Sequence, residues 1–354
     1  MSENIGETFN DVLFVPQYSE IEHRREISTA TNMGKFLLDL PLVSANMKDI
    51  TGPKMVVAMA RQGGLGILHR FGTVADNVAD FEEARTLLSE CKTFTEGEGH
   101  TSMPKWMTPD YAVGVSVGVS GQEQERFNAL YANGAKLFTV DVAHGHHILV
   151  RKMIGYMREQ AGNSICIIAG NVATPKGAID LSRWGANIIK VGIGPGGSCV
   201  TRRNTGVGVP QLKAIANIRE AFPDVVMISD GGVKNYGDIP KALKYANAVM
   251  VGSMIAGTSE TPGHVYENEE GEHYKVYGGS ASGERKTENG GKNAFVEGVV
   301  KMVKFKGKVK YILRTAREST QTSLSYAGCD NLSTFRHDSV LEKIGSGAKS
   351  ESRL

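Results

Sequence analysis

The chain has 354 residues, a formal net charge of +2 and 41% hydrophobic residues, which is the composition of a folded globular protein. No block of Lys or Arg indicates nucleic acid or an anionic membrane as a partner, so a small molecule is the expected ligand. The first ten residues lack a signal-peptide pattern, and no apolar run is long enough for a membrane span. We therefore expect a cytoplasmic protein. A reducing compartment also fits the cysteines, which form no C-x-x-C pair: Cys91, Cys166, Cys199 and Cys329.

Eight short apolar runs recur along the chain, at residues 40–44, 66–68, 112–117, 137–140, 165–169, 188–191, 225–229 and 248–251. They are too short for helices, and each ends at Gly, Asn, Asp, Ser or His, as strands do. Helix-like stretches lie between most of them, at 121–132, 148–160, 176–183 and 211–221. This alternation predicts parallel strands with crossover helices, and eight of them favour a single-domain α/β TIM (β/α)8 barrel over residues 1–340. A doubly wound open sheet is the alternative.

Three polar segments interrupt or follow this pattern. Residues 86–110 join the second strand unit to the third and are too few for a further domain. Gly and charged residues fill the stretch 278–292, which we expect to be a mobile flap extending to about residue 296. The tail 341–354 is rich in Gly, Ser and Lys, and we expect it to be disordered.

Barrel enzymes carry their active sites at the carboxyl ends of the strands, so the residues that follow each run are the candidates for function. Gly231 and Gly232 follow the seventh run, and Gly252 and Ser253 follow the eighth. Glycines there let backbone N–H groups approach a phosphate, although they can equally form tight turns. Asp230 adds a carboxylate that could accept bonds from both hydroxyls of a ribose, so a nucleotide is the favoured ligand.

Cys199 lies in a loop after the sixth run that is crowded with Gly and Pro, which would expose its thiol. Positive charge from Arg202 and Arg203, if directed at the sulfur, would favour the nucleophilic thiolate. An isolated cysteine is usually an inert small hydrophobe, and we interpret Cys166 in this way because it lies in an apolar run. The sequence therefore makes Cys199 the candidate nucleophile.

A second polar group follows the fourth run, where Asp141 precedes His144 and His146. The His-x-His spacing could present two nitrogens to a metal, but no third His or Cys lies at a convincing spacing. Asp141 is equally suited to hydrogen-bonding a cofactor amide or ribose. No G-x-G-x-x-G follows the first run, so a Rossmann fold is not supported and a cofactor would have to bind in barrel loops.

Seven strings of residues are specific enough to indicate a family. They are 9–13, 44–47, 141–146, 169–172, 190–201, 205–208 and 229–232. On these strings the chain resembles the IMP dehydrogenase and GMP reductase family from residue 9 to about residue 336. The resemblance implies a TIM barrel that forms a homotetramer, binds a purine nucleotide and uses a nicotinamide cofactor.

The resemblance also implies roles for matching positions. Cys199 would attack purine C2, and Thr201 with Glu297 would relay a proton at that carbon. Asp141, Asn171 and Arg70 would hold the cofactor. Carbonyls of Gly194, Gly196 and Cys199 could bind potassium. The nucleotide would contact Met47, Gly197, Ser198, Asp230, Gly231, Gly232, Gly252, Ser253, Tyr277, Gly279 and Ser280. At 197–198 the family more often has Ser followed by an apolar residue.

The family contains two reactions of nearly opposite sense. A dehydrogenase oxidises IMP with NAD and hydrolyses the cysteine adduct to XMP, whereas a reductase displaces ammonia from GMP and delivers hydride from NADPH. Hydrolysis in the dehydrogenases uses an Arg–Tyr pair of the flap, but here Lys286 follows Arg285. Residues 70–111 are also too few for the CBS modules that many dehydrogenases carry. The resemblance therefore favours a reductase that converts GMP with NADPH. A dehydrogenase without CBS modules is the second alternative. A regulator that binds nucleotide without turnover is the least favoured.

Overall fold

The computed structural model describes residues 7–90, 109–278 and 299–351. Its centre is a closed barrel of eight parallel strands, in which neighbours in the chain are neighbours in the sheet. The last strand pairs with the first, with Val249 opposite Leu42, and so closes the barrel. This closure confirms the predicted TIM (β/α)8 barrel and excludes the open sheet. Within the described ranges no helix combines the length and apolar character needed to cross a membrane.

The predicted apolar runs are the barrel strands. Three short strands precede them: β1 (Val12–Val15), β2 (Thr31–Asn32) and β3 (Leu37–Leu38). The barrel strands are β4 (Leu42–Ser44), β5 (Leu65–Ile67), β6 (Val113–Val117), β7 (Leu137–Asp141), β8 (Cys166–Val172), β9 (Ile188–Val191), β10 (Met227–Asp230) and β11 (Ala248–Val251). The predicted runs 188–191 and 248–251 coincide with β9 and β11.

Helices alternate with these strands, and three more follow the last of them. They are α1 (Pro53–Arg61), α2 (Val74–Glu90), α3 (Glu123–Ala132), α4 (Ile148–Ala161), α5 (Pro175–Arg183), α6 (Thr201–Thr205), α7 (Gln211–Ala221), α8 (Asp238–Leu243), α9 (Val309–Tyr326), α10 (Leu332–Asp338) and α11 (Ser346–Glu351). In α4 the buried residues recur at helical spacing, at Val150, Met153, Ile154 and Met157. This helix ends at Ala161 and is followed by Gly162, whose φ of 54° lies in the left-handed region that favours glycine.

A three-stranded antiparallel sheet is inserted between β11 and α9. Its strands are β12 (Tyr266–Glu267), β13 (His273–Gly278) and β14 (Val300–Lys304). The Gly278 N–H donates to Asp49 Oδ2 at 2.9 Å, and the Val299 N–H donates to the Ser198 carbonyl at 3.0 Å. These two bonds dock the sheet on barrel loops. Beyond Gly278, the predicted flap lies outside the described residues.

Within residues 341–351 the tail forms a strand and a helix, contrary to the expectation of disorder. Strand β15 (Val340–Lys343) pairs antiparallel with β1, with Val12 opposite Lys343. The Ile344 N–H donates to the Asp11 carbonyl at 3.0 Å, and Lys349 in α11 pairs with the Asp11 carboxylate. Composition suggested disorder, but pairing with a distant strand satisfies the backbone groups of this segment.

Gly192 marks a close approach between β9 and β10. A Cβ on Gly192 would lie 2.1 Å from the Asp230 carbonyl oxygen, whereas a Cβ on Gly155, in the exposed part of α4, would meet nothing within 4 Å. We expect Gly192→Ala to lower the free energy of unfolding by about 3 kcal/mol or more, because backbone has to move. The matched control Gly155→Ala is expected to stabilise by about 0.5–1 kcal/mol. Urea unfolding followed by circular dichroism measures both, and similar stabilities would contradict this strand contact.

Candidate active site

A buried lysine joins the carboxyl ends of three barrel strands. Lys190 in β9 is 3% exposed, and its Nζ lies 2.8 Å from Asp141 Oδ1 in β7 and 2.6 Å from Asp230 Oδ2 in β10. Asn171, near the end of β8, donates from Nδ2 to Asp230 Oδ2 at 2.8 Å and to the Gly192 carbonyl at 2.7 Å. Three predicted site residues, Asp141, Asn171 and Asp230, are therefore held in one hydrogen-bonded group around Lys190.

The charges of this group depend on one another. Burial opposes the charge of Lys190, but the carboxylates of Asp141 and Asp230 outweigh that cost and raise the pKa of the ammonium above its ordinary value. Burial also opposes the charge of Asp141, yet the Lys190 ammonium holds the pKa of this carboxyl below its usual range, assisted by Arg70 and by a bond from Asn46. Lys190 and Asp141 therefore keep each other ionised.

Sequence reasoning did not assign Lys190 a role. It lies inside the run Ile-Ile-Lys-Val, all four residues of which are buried. A charged residue within a fully buried strand is rare unless it is paired. That signal, combined with acidic residues at the ends of neighbouring runs, could have identified it.

The Asn171 side chain carries an unpaired acceptor. Its Oδ1 is buried and has no hydrogen-bond partner among the residues that the structure describes. The two bonds made by Nδ2 fix the orientation of the amide, so Oδ1 cannot exchange places with it. An unsatisfied buried acceptor costs about 1–3 kcal/mol, which a ligand N–H donor would recover. The position fits a ligand that presents an amide donor.

Cys199 and Thr201 form the second part of the site. The Cys199 thiol lies 3.1 Å from Thr201 Oγ1, and the Cys199 N–H donates to the Gly196 carbonyl at 3.0 Å. Cys199 is partly exposed, whereas Cys166 and Cys329 are buried. Burial raises the pKa of Cys166 to about 12, which makes it a poor nucleophile. Of the three described cysteines, Cys199 alone combines access with a hydroxyl partner.

Arg202 supports this loop mainly through carbonyls. Its guanidinium donates to the carbonyls of Ile193, at 3.4 Å, and Val209. Burial lowers the pKa of Arg202, and the charge of nearby Cys199 acts in the opposite direction. The predicted basic neighbour is therefore close to the thiol, and it also holds the shape of the glycine-rich turn.

A cradle of hydroxyls and glycines, formed by Gly197, Ser198, Gly252, Ser253 and Tyr277, lies beside the same loop. Tyr277 is 2% exposed; burial raises the pKa of its phenol, and a bond with Ser198 opposes that rise. The Tyr277 hydroxyl lies 3.4 Å from the position of a Cβ on Gly252 and 3.9 Å from that of a Cβ on Gly197. Ser253 Oγ lies 3.4 Å from the latter position. Side chains at either glycine would occupy the space on which these hydroxyls converge.

Three further predicted residues lie around this cradle. Met47 Sδ is 3.7 Å from the Cβ position of Gly252, so its side chain borders the cradle. A Cβ on Gly231 would lie 3.1 Å from the Gly196 nitrogen, which places Gly231 against the Cys199 loop. Gly232 instead faces the side chains of Phe9 and Gln211.

Arg70, after β5, is held near Asp141 by a carboxylate that the sequence did not reveal. Glu123 is 6% exposed, and its Oε1 lies 3.2 Å from Arg70 NH1. Its Oε2 accepts the Gly118 N–H at 2.7 Å and bonds to Arg126 Nε at 3.2 Å. Glu123 begins α3, and only the fold brings it into contact with Arg70.

The remaining predictions divide into three groups. His146 bonds to Asp180 at 2.9 Å, and no group of three or more metal-binding side chains occurs in the described part of the chain. Of the carbonyls predicted to bind potassium, that of Gly196 accepts the Cys199 amide. Some predicted residues lie outside the described ranges: Gly279, Ser280, Arg285, Lys286 and Glu297.

Comparison with known proteins places this arrangement in a family. The sequence profile of the IMP dehydrogenase / GMP reductase domain matches residues 6–354. The chain belongs to this family. A GMP reductase of Leptothrix cholodnii is 36% identical over 332 residues, which cover 93% of each chain. An IMP dehydrogenase of Nitrosopumilus maritimus is 31% identical, and the alignment covers 98% of each chain. The solved structure of a GMP reductase of Trypanosoma brucei in complex with guanosine 5′-monophosphate superposes with a TM-score of 0.89 at 26% identity, covering 100% of this chain and 98% of that one.

Membership of the IMP dehydrogenase / GMP reductase family makes the chain an oxidoreductase of nucleotide metabolism that uses a nicotinamide cofactor. The unpaired Asn171 Oδ1 suits the carboxamide N–H of such a cofactor, so the described residues fit it. The alignment with the Nitrosopumilus maritimus dehydrogenase spans 468 positions, whereas this chain has 354 residues. The dehydrogenase therefore has inserted residues that this chain lacks.

Proposed function

We propose that the protein reduces GMP to IMP and ammonia with NADPH, through a covalent adduct on Cys199. The observation that carries the proposal is the Cys199–Thr201 contact of 3.1 Å on the loop that also forms the cradle. A nucleophile so placed can reach the base of a nucleotide whose phosphate occupies the cradle.

The family relatives favour the reductive direction. Alignments with several GMP reductases cover 93% of this chain, and the structure of the Trypanosoma brucei enzyme contains GMP. Hydrolysis would need a flap base, and Lys286 stands where the dehydrogenases have Tyr. An IMP dehydrogenase without CBS modules is the second candidate, since the Nitrosopumilus maritimus dehydrogenase also aligns over 98% of the chain.

In the proposed reaction the Cys199 thiolate adds to purine C2, and the C2 amino group takes a proton and leaves as ammonia. Thr201 and Glu297 relay that proton. The cofactor, when bound, supplies a hydride to C2. Cleavage of the C2–sulfur bond then returns the electron pair to Cys199 and releases IMP. Asp230, which is held by Lys190, binds the ribose hydroxyls, while Asp141 and Asn171 position the nicotinamide amide.

Several finer assignments belong to this proposal and rest on the family resemblance. They are NADPH as the specific cofactor, the homotetramer, the cytoplasmic location and a potassium ion at the carbonyls of Gly194, Gly196 and Cys199. Exchange of potassium for lithium in the assay buffer tests the potassium site. If potassium binds there, its removal should lower turnover.

Purified protein given GMP and NADPH is expected to consume the near-ultraviolet absorbance of the reduced cofactor and to release IMP and ammonia in equal amounts. IMP with NAD is expected to give little XMP. Chromatography of the nucleotides and an ammonia assay measure both reactions. XMP formation that outpaces GMP reduction would reverse the assignment, and nucleotide binding without either reaction would indicate a regulator.

A further inference from the structure

A lysine of the inserted sheet reaches the cradle. Lys301 in β14 lies directly opposite Tyr277 in β13, and opposite residues of an antiparallel pair project from the same face. Its Nζ lies 5.5 Å from the centre of the Tyr277 ring and donates to the Gly197 carbonyl at 3.3 Å. The neighbouring Val299 N–H bonds to the next carbonyl, that of Ser198, at 3.0 Å. Backbone register and side-chain contact therefore agree on where Lys301 lies.

The rest of the cradle is electrically neutral. It offers hydroxyls and backbone N–H groups, whereas a phosphate monoester carries nearly two negative charges at neutral pH. Lys306 is close by, but its Nζ already donates to the carbonyls of Ser253 at 2.9 Å and Met254 at 3.0 Å. Among the described residues the Lys301 ammonium donates to one carbonyl, at 3.3 Å, and it has three protons to donate.

Position 197 departs from the usual family pattern in a way that concerns the same point. This chain has Gly197 followed by Ser198, so the loop keeps one serine hydroxyl, placed one position later than in the usual pattern. A Cβ at Gly197 would lie 3.3 Å from Ser253 Cβ, which is tighter than ordinary contact. A side chain at position 197 would therefore press on Ser253.

We propose that Lys301 binds the 5′-phosphate of the nucleotide and supplies the positive charge that the neutral cradle lacks. The inference rests on the proposed function in one respect, that the ligand is a nucleoside 5′-phosphate. Charge-assisted contacts with phosphate are stronger than neutral ones, although solvent screens a residue at the rim. The contribution should therefore fall as salt concentration rises.

The test is a cycle in which the protein loses Lys301 and the ligand loses its phosphate. Calorimetry gives the dissociation constants of GMP and guanosine for the wild type, Lys301→Met and Lys301→Arg, with IMP and inosine run in parallel. We expect Lys301→Met to weaken GMP about five- to tenfold at low salt and to leave guanosine unchanged. Lys301→Arg should retain most of the preference for GMP.

Lys304→Met is the matched control. Lys304 lies in the same strand, opposite Tyr274, and pairs with Glu272 at 2.6 Å, away from the cradle. It should bind GMP as the wild type does. If Lys301→Met keeps the full wild-type preference for GMP over guanosine, the inference is overturned while the proposed reaction stands. If the wild type does not turn over GMP, the proposed reaction is overturned instead. Comparison of the IMP and inosine dissociation constants would then still decide whether Lys301 binds the phosphate.

Discussion

Replacing Cys199 with Ala is expected to lower GMP turnover by at least about 10⁴-fold while the nucleotide still binds, because the nucleophile of a covalent mechanism has no substitute. The side chain is partly exposed and its thiol contacts Thr201 Oγ1, which lies outside the cradle, so its truncation leaves the cradle intact. Steady-state rates with GMP and NADPH, together with calorimetric binding of GMP, measure the two effects separately.

Cys329→Ala is the matched control for this experiment, since Cys329 is 2% exposed and lies outside the site. It should retain wild-type turnover. Mass spectrometry of wild-type protein quenched during turnover should also show a nucleotide on the peptide that contains Cys199. Turnover by Cys199→Ala within tenfold of the wild type would exclude the covalent mechanism.

Lys190→Met is expected to lower the free energy of unfolding by about 3–5 kcal/mol and kcat/KM by about 100-fold or more. The substitution leaves Asp141 and Asp230 in a barrel mouth without the ammonium that lies 2.8 Å and 2.6 Å from them. Asp230 in the proposed nucleotide site and Asp141 in the proposed cofactor site both lose the group that positions them, so KM should rise for GMP and for NADPH. Lys190→Arg keeps the charge and should recover much of both losses.

The pH dependence of stability gives this prediction a distinct signature. The pKa of Lys190 is raised in the folded protein, so its contribution is complete below its ordinary value and is lost as pH rises through the folded one. The pKa of Asp141 is lowered, so its contribution is complete above its ordinary value and is lost as pH falls through the folded one. The wild type should therefore exceed Lys190→Met in melting temperature most between about pH 4 and about pH 10. A difference that stays constant from pH 3 to pH 7 would show that Lys190 acts through packing rather than charge.

Strand positions could be predicted from the sequence because barrel strands are buried on both faces and appear as apolar runs. β9 and β11 are the clearest cases, since each is preceded by Asn and followed by Gly. β8 was predicted to stop at Ala169, but pairing with β7 continues to Gly170 and pairing with β9 carries the strand to Val172. Gly170 and Asn171 have the local preference of a strand end, yet they lie within β8. Tertiary pairing overrides that local preference.

Much of the site could also be predicted, since the carboxyl ends of parallel strands converge at one mouth. Asp141, Asn171 and Asp230 were identified in this way. Lys190, Glu123 and Lys301 were not. Each contacts a partner distant in sequence, so its position in the candidate site depends on strand register or on the docking of an inserted sheet.

The pairing of β1 with β15 has a consequence for how the chain is made. β1 has the sequence Val-Leu-Phe-Val, and within the described residues its only partner strand begins at Val340. During synthesis the ribosome must deliver more than three hundred further residues before that partner exists. An apolar strand left open for so long is a site where nascent chains can associate with one another. Strand β15, which is synthesised late, thus also covers β1, the strand that could otherwise cause aggregation.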